Sequence, residues 1–162
     1  MMISRILIAA CLALFPMLAA AQGTDVAFAG LKTDPNAPVQ VTADQLSVNQ
    51  ADGHAEFTGN VVVTQGDMKL SAGIVTVEYS ADKKAINTLH AAGGVTLAAG
   101  TDAAQATEAD YKPDTGDLVM TGDVLLTQGA AAISGQKLVL SLKTGTGTME
   151  GRVTTTFTPG GN

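Results

Sequence analysis

The stretch Phe57-Thr58-Gly59-Asn60-Val61-Val62-Val63-Thr64-Gln65-Gly66 returns later in the chain as Met120-Thr121-Gly122-Asp123-Val124-Leu125-Leu126-Thr127-Gln128-Gly129. A weaker copy, Ala92-Gly93-Gly94-Val95-Thr96-Leu97-Ala98-Ala99-Gly100, lies between them, and a degenerate last one begins at Gly151-Arg152-Val153. The marker glycines Gly59, Gly93, Gly122 and Gly151 are therefore 34, 29 and 29 residues apart. A period of that size indicates stacked supersecondary units, none of which can bury its apolar face alone.

Each unit has a second half. Gln65-Gly66 is followed by Leu70-Ser71-Ala72 and Val75-Thr76-Val77-Glu78-Tyr79, and Gln128-Gly129 by Ile133-Ser134-Gly135 and Leu138-Val139-Leu140-Ser141-Leu142. The same half-unit stands alone as Thr42-Ala43-Asp44-Gln45-Leu46-Ser47-Val48 and recurs as Thr107-Glu108-Ala109-Asp110-Tyr111. Period-two alternation puts Leu46 and Val48, Val75 and Val77, Ala109 and Tyr111, and Leu138 and Leu140 on one face. Ser47, Thr76, Glu78, Asp110 and Ser141 face the other way. Phe57, Val61, Val63, Val95, Leu97, Met120, Val124 and Leu126 continue the apolar set, which describes sheets with one apolar and one solvated face.

The punctuation agrees. Turn formers fall at Asn49–Gly53, Gln65–Asp67, Ala81–Lys84, Gly93-Gly94, Gly100–Asp102, Lys112–Gly116, Gly129-Ala130 and Thr144–Gly147. Asp52-Gly53 and Pro113-Asp114-Thr115-Gly116 carry specific turn chemistry, since glycine accepts positive φ and proline presets the first turn residue. No window outside the first 21 residues has helical periodicity, so the chain is expected to be all-β.

The ends bound the compartment. Arg5, the apolar run Ile6 to Leu18 and Ala19-Ala20-Ala21 before Gln22 form the three regions of a secretory signal peptide. Pro16 and the small-residue site argue against a retained anchor, and Cys11 follows Arg5 too closely for lipidation. Cleavage is expected after Ala21, with a flexible leader over 22–38, one domain over 39–157 and a flexible tail over 158–162. The only cysteine is Cys11, so the exported chain has no disulfide, thiol nucleophile or Cys metal site. The 9 basic and 15 acidic residues give a net charge of −6, or −7 without Arg5. That balance, with no basic patch, argues against nucleic acid as a partner.

Little in the sequence suggests catalysis. His54 and His90 have no nucleophile motif beside them, and His54 with Glu56 reads as a solvated pair on one strand face. Asp110, Asp114 and Asp117 lack the spacing of a calcium loop, and the glycine turns lack the lysine of a phosphate-binding loop. No enzyme activity, cofactor or metal is expected. The inward positions are smooth and aliphatic, with no Trp in the chain. Such walls can pack on each other or line a groove, and composition does not separate the two.

The pattern Thr-Ala-Asp-x-Leu-x-Val at 42–48, with apolar-x-Gly-x-Val-x-apolar-x-Gln-Gly at 57–66 and 120–129, resembles the OstA-like domain. A short exported chain carrying only that domain resembles the LptA family of periplasmic lipopolysaccharide transport bridges, over roughly residues 39–157. The resemblance implies a twisted, open β-jelly-roll built from repeated antiparallel strands, with lipid A acyl chains between its apolar faces. Its groove would be made of Leu46, Val48, Phe57, Val61, Val63, Leu70, Val75, Val77, Val95, Leu97, Tyr111, Met120, Val124, Leu126, Ile133, Leu138 and Leu140. It also implies head-to-tail homo-oligomers and docking to inner- and outer-membrane components of the same bridge by edge-strand pairing, here through Val39, Val41, Val153 and Phe157. The rival reading is a structural β-solenoid of the cell envelope that polymerises end to end around a filled core.

Overall fold

A computed structural model describes residues 24–27, 34, 36–49, 51, 53–82 and 84–158. The expected signal peptide, its cleavage site and Cys11 lie outside these residues. Among these residues thirteen strands make up one antiparallel ladder: β1 Thr24–Ala27, β2 Gln40–Thr42, β3 Gln45–Asn49, β4 His54–Gln65, β5 Met68–Tyr79, β6 Ile86–Ala92, β7 Val95–Ala99, β8 Asp102–Ala106, β9 Glu108–Lys112, β10 Asp117–Gln128, β11 Ala131–Ser141, β12 Thr146–Glu150 and β13 Thr154–Phe157. Among the described residues there is no helix.

The half-units of the sequence are joined in pairs, because β4, β5, β10 and β11 are single long strands, each bent once. In β4 the register slips between Thr58 and Val61, so that Gly59 and Asn60 together oppose the single residue Gly73 of β5. In β10 it slips between Thr121 and Val124, where Gly122 and Asp123 oppose Gln136 of β11. These are β-bulges, which bend the strand that carries them. Both residues of each bulge have positive φ: Gly59 at 79° and Asn60 at 47°, Gly122 at 83° and Asp123 at 48°. Glycine followed by Asn or Asp meets that demand at least cost, which explains why this dipeptide marks the repeat.

The bends line up across the strands. Gly93-Gly94 separates β6 from β7 and Gly151-Arg152 separates β12 from β13, again with positive φ at both residues of each pair. Asp44 stands between β2 and β3, and Thr107 between β8 and β9. The resulting crease divides the ladder into two leaves. The first leaf holds β3, the first half of β4, the second half of β5, β6, β9, the first half of β10, the second half of β11, β12 and β1. The second holds β2, the other halves of the long strands, β7, β8 and β13. Folding about the crease turns the apolar faces toward each other, giving the twisted, open jelly-roll arrangement.

Four expectations change. The segment 22–38 contains strand β1, which pairs Thr24–Ala27 with Met149–Thr146. Without it β12 would leave a row of backbone groups unpaired, and four residues are too few to show a period in the sequence. Likewise Thr158, the first residue of the expected tail, is held to the ladder: its amide donates to the Ala130 carbonyl at 3.0 Å. Gly93-Gly94 is a crease and not a hairpin turn, and the turn expected at 144–147 lies at 142–145.

Candidate functional site

The site is the space between the leaves. Of the residues expected to line it, Val61, Val63, Leu70, Val75, Val77, Val95, Leu97, Tyr111, Met120, Val124, Leu126, Ile133, Leu138 and Leu140 are buried there. Their facing is fixed by register: Val63 lies opposite Leu70, Leu70 opposite Leu97, Met120 opposite Leu138, and Leu126 opposite Ile133. Residues directly opposite in an antiparallel pair share a face, so each leaf shows the other a continuous aliphatic surface.

Sequence reasoning missed several members. Met68, Leu89, Leu118, Leu142 and Met149 are equally buried, and Ala55, Ala91, Ala99 and Ala104 complete the walls. A two-residue step outward from Leu70, Met120 and Leu140 reaches Met68, Leu118 and Leu142. The alternation that found the first set thus held the signal for these. The middle unit, poor in bulk at Ala103-Ala104-Gln105-Ala106, is strand β8; Ala104 and Ala106 face inward and Ala103 and Gln105 outward.

The interior is uncovered at one end. Leu46 and Val48 are 57% and 59% exposed, and Phe57 is half-buried. Yet Leu46 lies opposite Phe57, which lies opposite fully buried Val75, and Val48 reaches Val77 through Ala55 in the same way. These side chains therefore belong to the inner face and emerge because β3 is the last strand of its leaf. Val39 and Val41 are half-buried against the core beside β2, the corresponding edge of the second leaf. At the opposite end, Val153 is half-buried and Phe157, on the edge strand β13, is 67% exposed. The first leaf ends there on β1, which the sequence did not single out as an edge.

A polar contact crosses the interior. The Tyr111 hydroxyl of β9 in the first leaf donates to Gln65 Oε1 at the end of β4 in the second leaf, and Gln65 Nε2 donates to the Ala37 carbonyl at 3.0 Å. Both side chains are buried, and burial pushes the Tyr111 phenol up to about 12. Tyr111 lies four residues from the crease at Thr107 and Gln65 five from Asn60, so the contact is at the lip opposite the crease. Gln128, which matches Gln65 in the repeat, instead bonds Asp102 at 3.0 Å within the second leaf.

Ion pairs line the outer face of the first leaf. His90 Nδ1 meets Asp110 Oδ1 at 2.7 Å, Lys137 meets Glu150 at 3.6 Å, and His54 lies 3.8 Å from Glu78, its cross-strand neighbour, leaving Glu56 opposite Thr76. Each pair is about half-exposed and faces away from the interior, where such pairs contribute little. No group of three or more His, Cys, Asp or Glu that could hold a metal ion occurs among the described residues. Among the described residues the arrangement does not assemble a nucleophile, a base and an oxyanion site.

Known proteins share this construction. A family model described as the LptA/(LptD N-terminal domain) LPS transport protein matches residues 40–146. An uncharacterized protein of Rhizobium meliloti is 33% identical over 128 residues, covering 76% of this chain and 63% of that one. The lipopolysaccharide export system protein LptH of Pseudomonas aeruginosa is 41% identical over 61 residues, 38% of this chain and 34% of that one. The chain thus spans less than two thirds of the length of these curated relatives. A crystal structure of the Pseudomonas aeruginosa LptH, described as the LptA homologous periplasmic component of the lipopolysaccharide transport device, has the same fold. It aligns with a TM-score of 0.69 at 20% identity, over 78% of this chain and 99% of that one.

Proposed function

The chain belongs to the LptA/LptD N-terminal domain family of lipopolysaccharide transport proteins, and from that membership we propose that it is a periplasmic carrier within a bridge between the inner and outer membranes. Lipid A acyl chains lie between its two leaves while the sugars stay in water. The observation that carries this reading is the aliphatic interior continuing to an uncovered end at Leu46 and Val48. A closed core gains nothing from exposing inward-facing apolar side chains, since each costs apolar surface left in water. A groove that continues into a neighbouring copy or membrane-bound component does.

The edges support the partners. β2 and β3 at one end and β13 and β1 at the other leave backbone groups free to pair with an added strand. A second copy would dock head to tail, and inner- and outer-membrane components would use the same two edges. Movement along the bridge is driven by an upstream partner and the chain acts as a passive conduit.

Site-specific photo-crosslinking on the purified chain tests the reading. A photoreactive residue at Leu126, buried in β10, or at Phe57 should crosslink lipopolysaccharide, whereas one at Leu125, the outward neighbour of Leu126, should not. Absence of crosslinks from Leu126 and Phe57 in the folded protein would mean a permanently filled core and favour a structural solenoid.

A further inference from the structure

The Tyr111–Gln65 contact is out of keeping with its surroundings. Apart from Gln65 and Asp102, the buried residues described between the leaves are apolar or, in Tyr111, aromatic. Position 111 repeats position 48, and there the first unit carries Val. A phenylalanine ring would occupy the same volume, so packing alone does not require the hydroxyl at this buried site. Position 128 repeats position 65, and the Gln128 carboxamide bonds within its own leaf. The Tyr111–Gln65 pair bonds side chain to side chain across the leaves.

Its place in the fold decides what it meets. Tyr111 is on the fifth strand of the first leaf counted from β3, and Gln65 on the second strand of the other leaf counted from β2. The leaves are thus crossed at the lip, opposite the crease about which they would part. Parting takes the Tyr111 hydroxyl away from Gln65 Oε1, while Gln65 Nε2 also bonds the Ala37 carbonyl, and a phenol at the rim of an apolar cleft then needs a new acceptor. An acylated glycolipid entering through the lip brings ester and amide carbonyls, and hydroxyls, to the level where its chains join its sugars.

We propose that Tyr111 and Gln65 form a polar subsite of the cleft, exchanging their mutual hydrogen bond for bonds to the carbonyl and hydroxyl groups at the acyl linkages of the bound lipid. This rests on the carrier reading above. It makes the pair a determinant of which apolar ligands are held: acyl linkages are recognised and bare hydrocarbon is not. The phenol enters the exchange protonated, because burial raises its pKa to about 12.

Two probes on the full chain separate the possibilities: lipopolysaccharide, and the hydrocarbon fluorophore diphenylhexatriene, which has no hydrogen-bonding group. Tyr111→Phe keeps the ring in place, and Gln65→Met is the independent second variant, with the strand signature of both checked by circular dichroism. Each should weaken lipopolysaccharide binding about tenfold, the usual consequence of leaving one buried polar group unpaired, while diphenylhexatriene binds as well as before or better. Lipopolysaccharide bound as tightly or more tightly by both folded variants would overturn the proposal and leave the pair a simple clasp. A wild-type chain that takes up diphenylhexatriene but not lipopolysaccharide would instead overturn the carrier reading itself.

Discussion

The Asp44 amide donates to the Gly59 carbonyl at 2.9 Å, closing the gap between β2 and β3 against the bend in β4. Sixty-three residues on, the Thr107 amide does the same to Gly122 at 2.9 Å. The close approach leaves no room for a side chain on either glycine. A Cβ on Gly59 would lie 2.5 Å from Asp44 Oδ2, and one on Gly122 would lie 2.5 Å from Thr107 Oγ1 and 2.7 Å from its Cβ. The crease therefore depends on glycine twice, for positive φ and for space.

Gly122→Ala should accordingly destabilise the fold by roughly 2–4 kcal/mol, combining left-handed strain of about 1–2 kcal/mol with displacement of Thr107. Gly129→Ala is the control, because Gly129 has φ +53° and nothing within 4 Å of its Cβ position. It should lose only the strain, about 1 kcal/mol. Urea unfolding of the two variants checks the difference; equal losses would mean that the crease tolerates the added methyl.

Tyr111 gives the stability an alkaline limb. Burial raises its pKa to about 12, against roughly 10 in an unfolded chain. The neutral phenol is the form the fold favours, so its contribution is intact below pH ~10 and is lost as pH rises from there through 12. Over that window the loss amounts to about 3 kcal/mol, at roughly 1.4 kcal/mol per unit. The chain has two tyrosines, so in Tyr79→Phe the tyrosinate absorbance reports Tyr111 alone. It should titrate near the unfolding transition, and Tyr111→Phe should remove this part of the pH dependence.

Adjacent leucines on β10 should behave oppositely. Leu126 is fully buried between the leaves, whereas Leu125 faces outward and is 39% exposed. Leu126→Ala should cost about 2–5 kcal/mol by leaving a cavity, and Leu125→Ala about 1 kcal/mol or less. Chemical denaturation checks both; similar losses would place Leu126 in a part of the interior that collapses freely, as a groove with mobile walls would.

Most of the fold and of the inner face was legible because alternation and glycine spacing are local properties. Val75, Val77, Leu138 and Leu140 could be assigned to one face from their own neighbours. What was not legible depends on long-range geometry. Gly59 was legible as a marker of the repeat, but that Gly59-Asn60 is a bulge bending one strand is revealed only by the register against Gly73. Leu46 and Val48 carry the same alternation as their buried counterparts, and nothing nearby in sequence tells that β3 ends its leaf. The Tyr111–Gln65 bond joins residues 46 apart whose meeting follows from the crossing of the leaves.

The exposed inward residues at the two ends make head-to-tail assembly testable by mixing. Leu46 at the β3 end and Phe157 on β13 are both more than half exposed, so a charge at either should change monomer stability by no more than about 0.5 kcal/mol. Leu46→Glu and Phe157→Glu should each abolish concentration-dependent association in sedimentation velocity, because in a heterologous interface every contact uses one surface of each kind. An equimolar mixture should recover dimers and nothing larger: the intact β13 end of the Leu46→Glu chain meets the intact β3 end of the Phe157→Glu chain, and the two spoiled ends remain outside. A symmetric interface through one end would predict otherwise, with one variant associating normally by itself. Long oligomers from both single variants would remove these ends from the assembly altogether.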